Sequence, residues 1–168
     1  MNTKQARAPV LILTYGNPSR GDDALGTAMF DLLENYKLEN SQLDHVDLYT
    51  DFQLQIEHAV DLEDRQYVLF IDAGVSCAEP FECDRLQAER DDSFTTHAMS
   101  PASVLAVYKQ IHRKEPPPAY LLTIRAYEFG LGKSMSAQAK ANLQKAYRYI
   151  IKNDRLDAAT GLSLPTAR

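Results

Sequence analysis

The residues best suited to chemistry in this chain are two carboxylates and one imidazole. Asp23 follows the apolar run Leu11-Ile12-Leu13 and the turn-forming stretch Gly16-Asn17-Pro18-Ser19-Arg20-Gly21-Asp22. Asp72 ends a second apolar run, Tyr67-Val68-Leu69-Phe70-Ile71. His97 lies in Thr95-Thr96-His97-Ala98-Met99-Ser100-Pro101, just ahead of a helix. Two carboxylates brought close together repel, share a proton or hold a cation. Adding an imidazole gives a mixed oxygen and nitrogen donor set. Such a set suits a borderline transition metal such as nickel or zinc better than a hard ion. The competing reading is that each aspartate caps a helix or a turn. For Asp22 that reading is preferred, because a carboxylate there meets the free amides and positive dipole of the helix that begins beside it. For Asp23 and Asp72 the functional reading is preferred, since so apolar a strand has no structural need to end in a charge.

Other chemistries lack their motifs. Gly16 to Gly21 matches neither the dinucleotide fingerprint nor a phosphate-binding loop. No H-E-x-x-H occurs, and no Gly-x-Ser-x-Gly elbow. Ser19, Ser76 and Cys77 have no base partner recognisable in sequence. His45, His58 and His112 read as ordinary histidines, although Glu57-His58 is a secondary candidate. Cys77 and Cys83 lack zinc-finger spacing and read as free thiols rather than a disulfide.

The elements that must carry these side chains are legible from periodicity. Strands are expected at Pro9–Leu13, Val46–Tyr49, Tyr67–Ile71 and Tyr120–Arg125, with Phe81–Leu86 as an alternating edge strand. Tyr67–Ile71 is apolar throughout, as in a strand buried on both faces. Helices are expected at Asp22–Lys37, Leu54–Leu62, Pro101–His112 and Ser136–Ile151, with Ser100 capping the third. Strands alternating with helices predict an α/β fold, a three-layer αβα sandwich around a largely parallel, twisted sheet of about five strands. In such sheets the working site lies beyond the carboxyl ends of the strands, where Asp23, Asp51 and Asp72 all arrive.

Bulk properties narrow the setting. The chain has 168 residues, 45% of them apolar and 24% charged, and a net charge of −5. That length fits one α/β domain over residues 1–152, followed by a small, polar tail at 153–168 expected to be loose. The negative balance argues against nucleic acid as partner. No run is long and apolar enough for a bilayer, and Met1–Pro9 lacks a secretory core. A cytoplasmic location is the default expectation.

Taken together, Gly16-Asn17-Pro18-Ser19-Arg20-Gly21-Asp22-Asp23-Ala24-Leu25-Gly26 resembles the amino-terminal signature of the hydrogenase maturation proteases. Phe70-Ile71-Asp72-Ala73, Thr96-His97-Ala98-Met99-Ser100-Pro101 and Phe129-Gly130-Leu131-Gly132 to Ser136 are similar to three further segments of that family. The likeness runs from about Val10 to Ile151. Gln53 to Leu62 is similar to the branch serving cytoplasmic, NAD-reducing or bidirectional hydrogenases. One departure is Thr14, where many members have the first glycine of Gly-x-Gly-Asn.

The resemblance implies an aspartic-type endopeptidase that trims the carboxyl-terminal extension from the large-subunit precursor of nickel–iron hydrogenases. It implies that Asp23, Asp72 and His97 recognise nickel, that this nickel belongs to the substrate, and that no organic cofactor is needed. Asp23 and Asp72 are then also the candidate catalytic residues. The nucleophile stays open between a carboxylate and a metal-polarised water. A nickel-dependent chaperone that does not cut, and a small-molecule hydrolase or phosphorylase on a similar scaffold, are the alternatives.

Overall fold

The computed structural model describes residues 6–90 and 99–152. Five strands form one sheet: β1 (Val10–Tyr15), β2 (Val46–Asp51), β3 (Tyr67–Gly74), β4 (Phe81–Arg85) and β5 (Ala119–Arg125). Their spatial order is β2-β1-β3-β5-β4. All neighbours are parallel except β4 against β5. Among the described residues four helices cover the sheet: α1 (Leu25–Glu39), α2 (His58–Asp61), α3 (Pro101–His112) and α4 (Ala137–Lys152). This is the expected αβα sandwich, with the alternating strand at the edge.

The side-chain alternation of β1 divides the core in two. Val10 and Ile12 face α1 and α4, meeting Leu25, Met29, Leu33, Leu143, Ala146 and Ile150. Leu11, Leu13 and Tyr15 face α2 and α3, meeting Leu54, Ala59, Leu62, Val104, Leu105 and Tyr108. A strand that feeds both cores can carry no polar side chain along its length except one with a local partner. Thr14 is that exception, and its hydroxyl is 3.0 Å from the Thr50 hydroxyl. Buried positions on α1 and α4 recur every three or four residues, which places one stripe of each helix on the sheet.

Three elements differ from expectation. The chain after β1 first forms a short 3-10 turn, Gly21–Ala24, and α1 starts only at Leu25. The helix expected at Leu54–Leu62 contracts to His58–Asp61, because Leu54 reaches the core from the preceding loop. Strand β3 runs on to Gly74, so Asp72 is a paired strand residue opposite Thr123. The cap of α3 is as expected: the Ser100 hydroxyl accepts the Ser103 N–H at 3.1 Å, with Pro101 in the first turn.

Chain direction decides where a site can form. From β1 the chain moves to β2 on one side, and from β3 it moves on toward β5 on the other. The crevice between β1 and β3, beyond their carboxyl ends, is therefore the topological switch point.

Candidate functional site

Asp23 is held by the turn that leaves β1. Gly16 has φ +145°, and a Cβ there would stand 2.1 Å from the Asp23 carbonyl oxygen. Only glycine lets the backbone fold back this tightly. The Asn17 N–H donates to Asp23 Oδ2 at 3.1 Å, and the Ser19 N–H donates to Asn17 Oδ1 at 2.9 Å. Gly26 lets α1 start directly on the strand end, since a Cβ there would lie 2.1 Å from the Tyr15 carbonyl oxygen. The turn thus wraps around Asp23 and leaves its carboxylate at the switch crevice.

Asp72 enters the same crevice from β3. The register runs Thr14 against Ile71, so its next step sets Tyr15 beside Asp72 on the face that bears α2 and α3. Asp72 Oδ1 accepts the N–H of Ala73 at 2.7 Å. Burial pushes the Asp72 carboxyl up from 3.8 to about 6. Hydrogen bonds from the Ala73 N–H and the Tyr15 hydroxyl oppose that rise, and the nearby charge of Asp23 adds to it. Tyr15 responds in kind. Burial, then the adjacent Asp72 charge, lifts its phenol well above the usual range, so it remains a donor. A carboxyl titrating near neutrality beside a second carboxylate can hold a divalent cation or accept a proton.

Asp23 and Asp72 both follow strands that border the crevice, and the charge of Asp23 adds to the rise of the Asp72 carboxyl. His97 lies outside the described residues. Among the described residues, no group of three or more His, Cys, Asp or Glu side chains is set to hold a metal.

Asp22 and Asp51 do something else. Asp22 is fully buried and does not cap α1. Its Oδ2 accepts the N–H of Tyr127 at 2.8 Å, the N–H of Glu128 at 3.0 Å and the Ser136 hydroxyl at 2.8 Å. Its Oδ1 accepts the N–H of Ser136 at 2.6 Å. Burial alone would raise this carboxyl, but the four donors outweigh it and hold the group below the usual carboxylate range. Four hydrogen bonds between residues 19–22 and 128–133 continue the same seam, including Gly132 N–H to Ser19 O at 2.8 Å and Arg20 Nε to Phe129 O at 3.1 Å. Asp22 is thus the clasp that fastens the Asp23 turn to the segment before α4. The adjacency of Ser136 to the start of α4 was a readable signal of a cap, and its hydroxyl indeed accepts the Ala139 N–H at 3.2 Å. Nothing local betrayed its second partner.

Asp51 is engaged by His58. His58 Nε2 is 3.3 Å from Asp51 Oδ2, and His58 Nδ1 accepts the Gln55 N–H at 2.8 Å. That pattern places the ring proton on Nε2, aimed at the carboxylate. Of the pair Glu57-His58, then, the buried histidine closes a loop, while Glu57 is exposed.

Both cysteines are free. Burial raises both thiols, Cys83 to about 12, so neither is an activated nucleophile.

No family model matches the chain, and no curated protein matches it in sequence. Its fold does match solved structures. Hydrogenase maturating endopeptidase HybD from E. coli is 19% identical and superposes with a TM-score of 0.63 over 85% of this chain and 90% of its own. The nickel–iron hydrogenase maturation protease HycI from Thermococcus kodakarensis is 18% identical, with a TM-score of 0.63 over 88% of this chain and 93% of its own. A hydrogenase 2 maturation peptidase from a Thaumarchaeota archaeon is 24% identical, with a TM-score of 0.60 over 85% of this chain and 95% of its own. At these identities the likeness establishes a shared fold.

Proposed function

We propose that this chain is an endopeptidase of hydrogenase maturation. It removes the carboxyl-terminal extension of a nickel–iron hydrogenase large-subunit precursor after nickel insertion. Asp23, Asp72 and His97 bind the nickel that the substrate carries. The observation that carries this reading is the meeting of Asp23 and Asp72 at the switch crevice of a fold shared with HybD and HycI. The resemblance of Gln53 to Leu62 points to a cytoplasmic, NAD-reducing or bidirectional hydrogenase as the source of the precursor.

The chemistry follows from the side chains. With a pKa of about 6, Asp72 is mostly ionised at neutral pH yet close enough to titration to take a proton. Asp23 adds a second oxygen donor at a fixed distance, because its turn is pinned by Gly16 and by the Asp22 clasp. Docking of the substrate's nickel against these groups fixes the scissile peptide bond beyond the sheet rim. Fixed geometry is itself a large part of the acceleration. A carboxylate or a water polarised by the substrate's metal then supports hydrolysis. A precursor without nickel offers nothing for these residues to hold, so productive docking is lost.

The test is direct. The protein is mixed with hydrogenase large-subunit precursor, nickel-loaded or nickel-free, and the products are weighed by mass spectrometry. Shortening of the loaded precursor alone is the expected result. A loaded precursor that binds but keeps its full mass would make this chain a nickel-dependent chaperone instead.

A further inference from the structure

Eight large hydrophobic side chains are conspicuously exposed among the described residues, and four of them, Tyr49, Phe52, Ile56 and Val60, fall within one short stretch. This stretch is the end of β2, the edge strand beside the switch crevice, and the loop and turn that follow it. Within it Leu54 is 1% exposed and anchors the loop in the core. Phe52 and Ile56, two residues to either side, are 63% and 56% exposed. The core therefore uses the middle residue and leaves the flanking pair on the surface.

The loop is also rigidly held. One imidazole closes it, since His58 accepts the Gln55 N–H and points its other nitrogen at Asp51. Asp51 in turn accepts the Phe52 N–H at 2.6 Å, and its carbonyl accepts the Gly16 N–H at 3.1 Å. The same residue thus ties the loop to the turn that carries Asp23. A surface fixed in advance loses little conformational entropy on binding.

Position names the occupant. Asp51, Tyr15 and Asp72 follow one another across β2, β1 and β3 in register. With strands about 4.8 Å apart, Phe52 begins roughly 10 Å from the Asp72 backbone, which an extended peptide covers in about three residues. A polypeptide whose scissile bond sits over Asp72 is therefore within reach of Phe52, and Ile56 is exposed on the same loop. We infer that this ridge, clasped by His58, is the docking surface for an apolar stretch of the substrate polypeptide next to its cleavage point. The inference rests on the protease reading above for the identity of that substrate.

The experiment compares the wild type with the double variant Phe52→Ser, Ile56→Ser, and with Ile111→Ser as a control. Ile111 is 53% exposed on the last turn of α3, remote from the rim. All three mutated side chains are exposed, and unchanged melting curves check the fold. Cleavage of nickel-loaded precursor gives KM and kcat. Binding of the same precursor to each protein is measured by stopped flow, before cleavage. The expected result is a rise of about tenfold in KM and in the dissociation constant for the double variant, with kcat and the Ile111→Ser control unchanged. Unaltered KM and binding in the double variant overturn the inference. So does a change in oligomeric state without a change in precursor binding, which assigns the ridge to a second copy of the chain. If the wild type binds precursor without cutting it and the double variant binds more weakly, docking stands and the protease reading fails. A wild type that neither binds nor cuts overturns both.

Discussion

Replacing Asp72 by asparagine separates the function of this carboxylate from its burden on the fold. Its native pKa is about 6 against an ordinary 3.8, and burial is the main cause. Holding a carboxylate there at neutral pH therefore costs about 3 kcal/mol relative to a solvated one. The sign follows from linkage. The native state binds the proton more tightly than the unfolded chain, so stability falls as the pH rises from about 4 to about 6 and stays low above that. Asparagine keeps an oxygen for the Ala73 N–H and carries no charge. It should stabilise the protein at pH 8 by up to about 3 kcal/mol, or roughly 6–12 °C in Tm for a chain of this size. At pH 4 the wild-type group is largely protonated and the difference should nearly vanish. Urea denaturation of both proteins at the two pH values reads the effect. A stability gap of equal size at both values, or a variant less stable at pH 8, refutes the account of why Asp72 is perturbed. On the proposed function, the same variant loses processing of nickel-loaded precursor. Processing near the wild-type rate would remove Asp72 from the site.

Asp22→Asn reverses the sign. Its amide turns a donor toward donors in a buried cluster, which should destabilise the fold by roughly 3 kcal/mol at pH 7, read by thermal melting. Because the native Asp22 carboxyl is depressed, the wild-type advantage is present above about pH 4 and disappears as pH falls through the depressed native value. Gly16→Ala places a methyl 2.1 Å from the Asp23 carbonyl oxygen and should abolish precursor cleavage through displacement of the turn, with a crystal structure of the variant showing Asp23 moved. His97→Ala should eliminate nickel-dependent cleavage in the mass-spectrometric assay.

Much of this architecture was legible because its signals are local. The unbroken apolarity of Tyr67–Ile71 marked the central strand β3, and alternation in Phe81–Leu86 marked the edge strand β4. Asp23 and Asp72 could be set on one rim in advance because both follow the carboxyl ends of parallel strands, whereas the adjacency of β1 and β3 is a property of the folded sheet. What stayed hidden depends on partners far away in sequence. Asp22 looked like a cap for the helix beside it, yet its donors are 105 to 114 residues further on. Asp51 looked like a third rim carboxylate until the contraction of α2 set His58 at its side. Tyr15 drew no notice because the expected strand stopped at Leu13, and only the register against β3 puts its hydroxyl beside Asp72.

The Asp22 clasp also sets an order of events during synthesis. The carboxylate that locks the Asp23 turn emerges early, whereas its four donors, on Tyr127, Glu128 and Ser136, emerge after all five strands. A nascent chain stopped before Tyr127 holds the first acidic group of the crevice on an unfastened loop. The turn that carries Asp23 is therefore fastened late, only once the segment leading into α4 has left the ribosome.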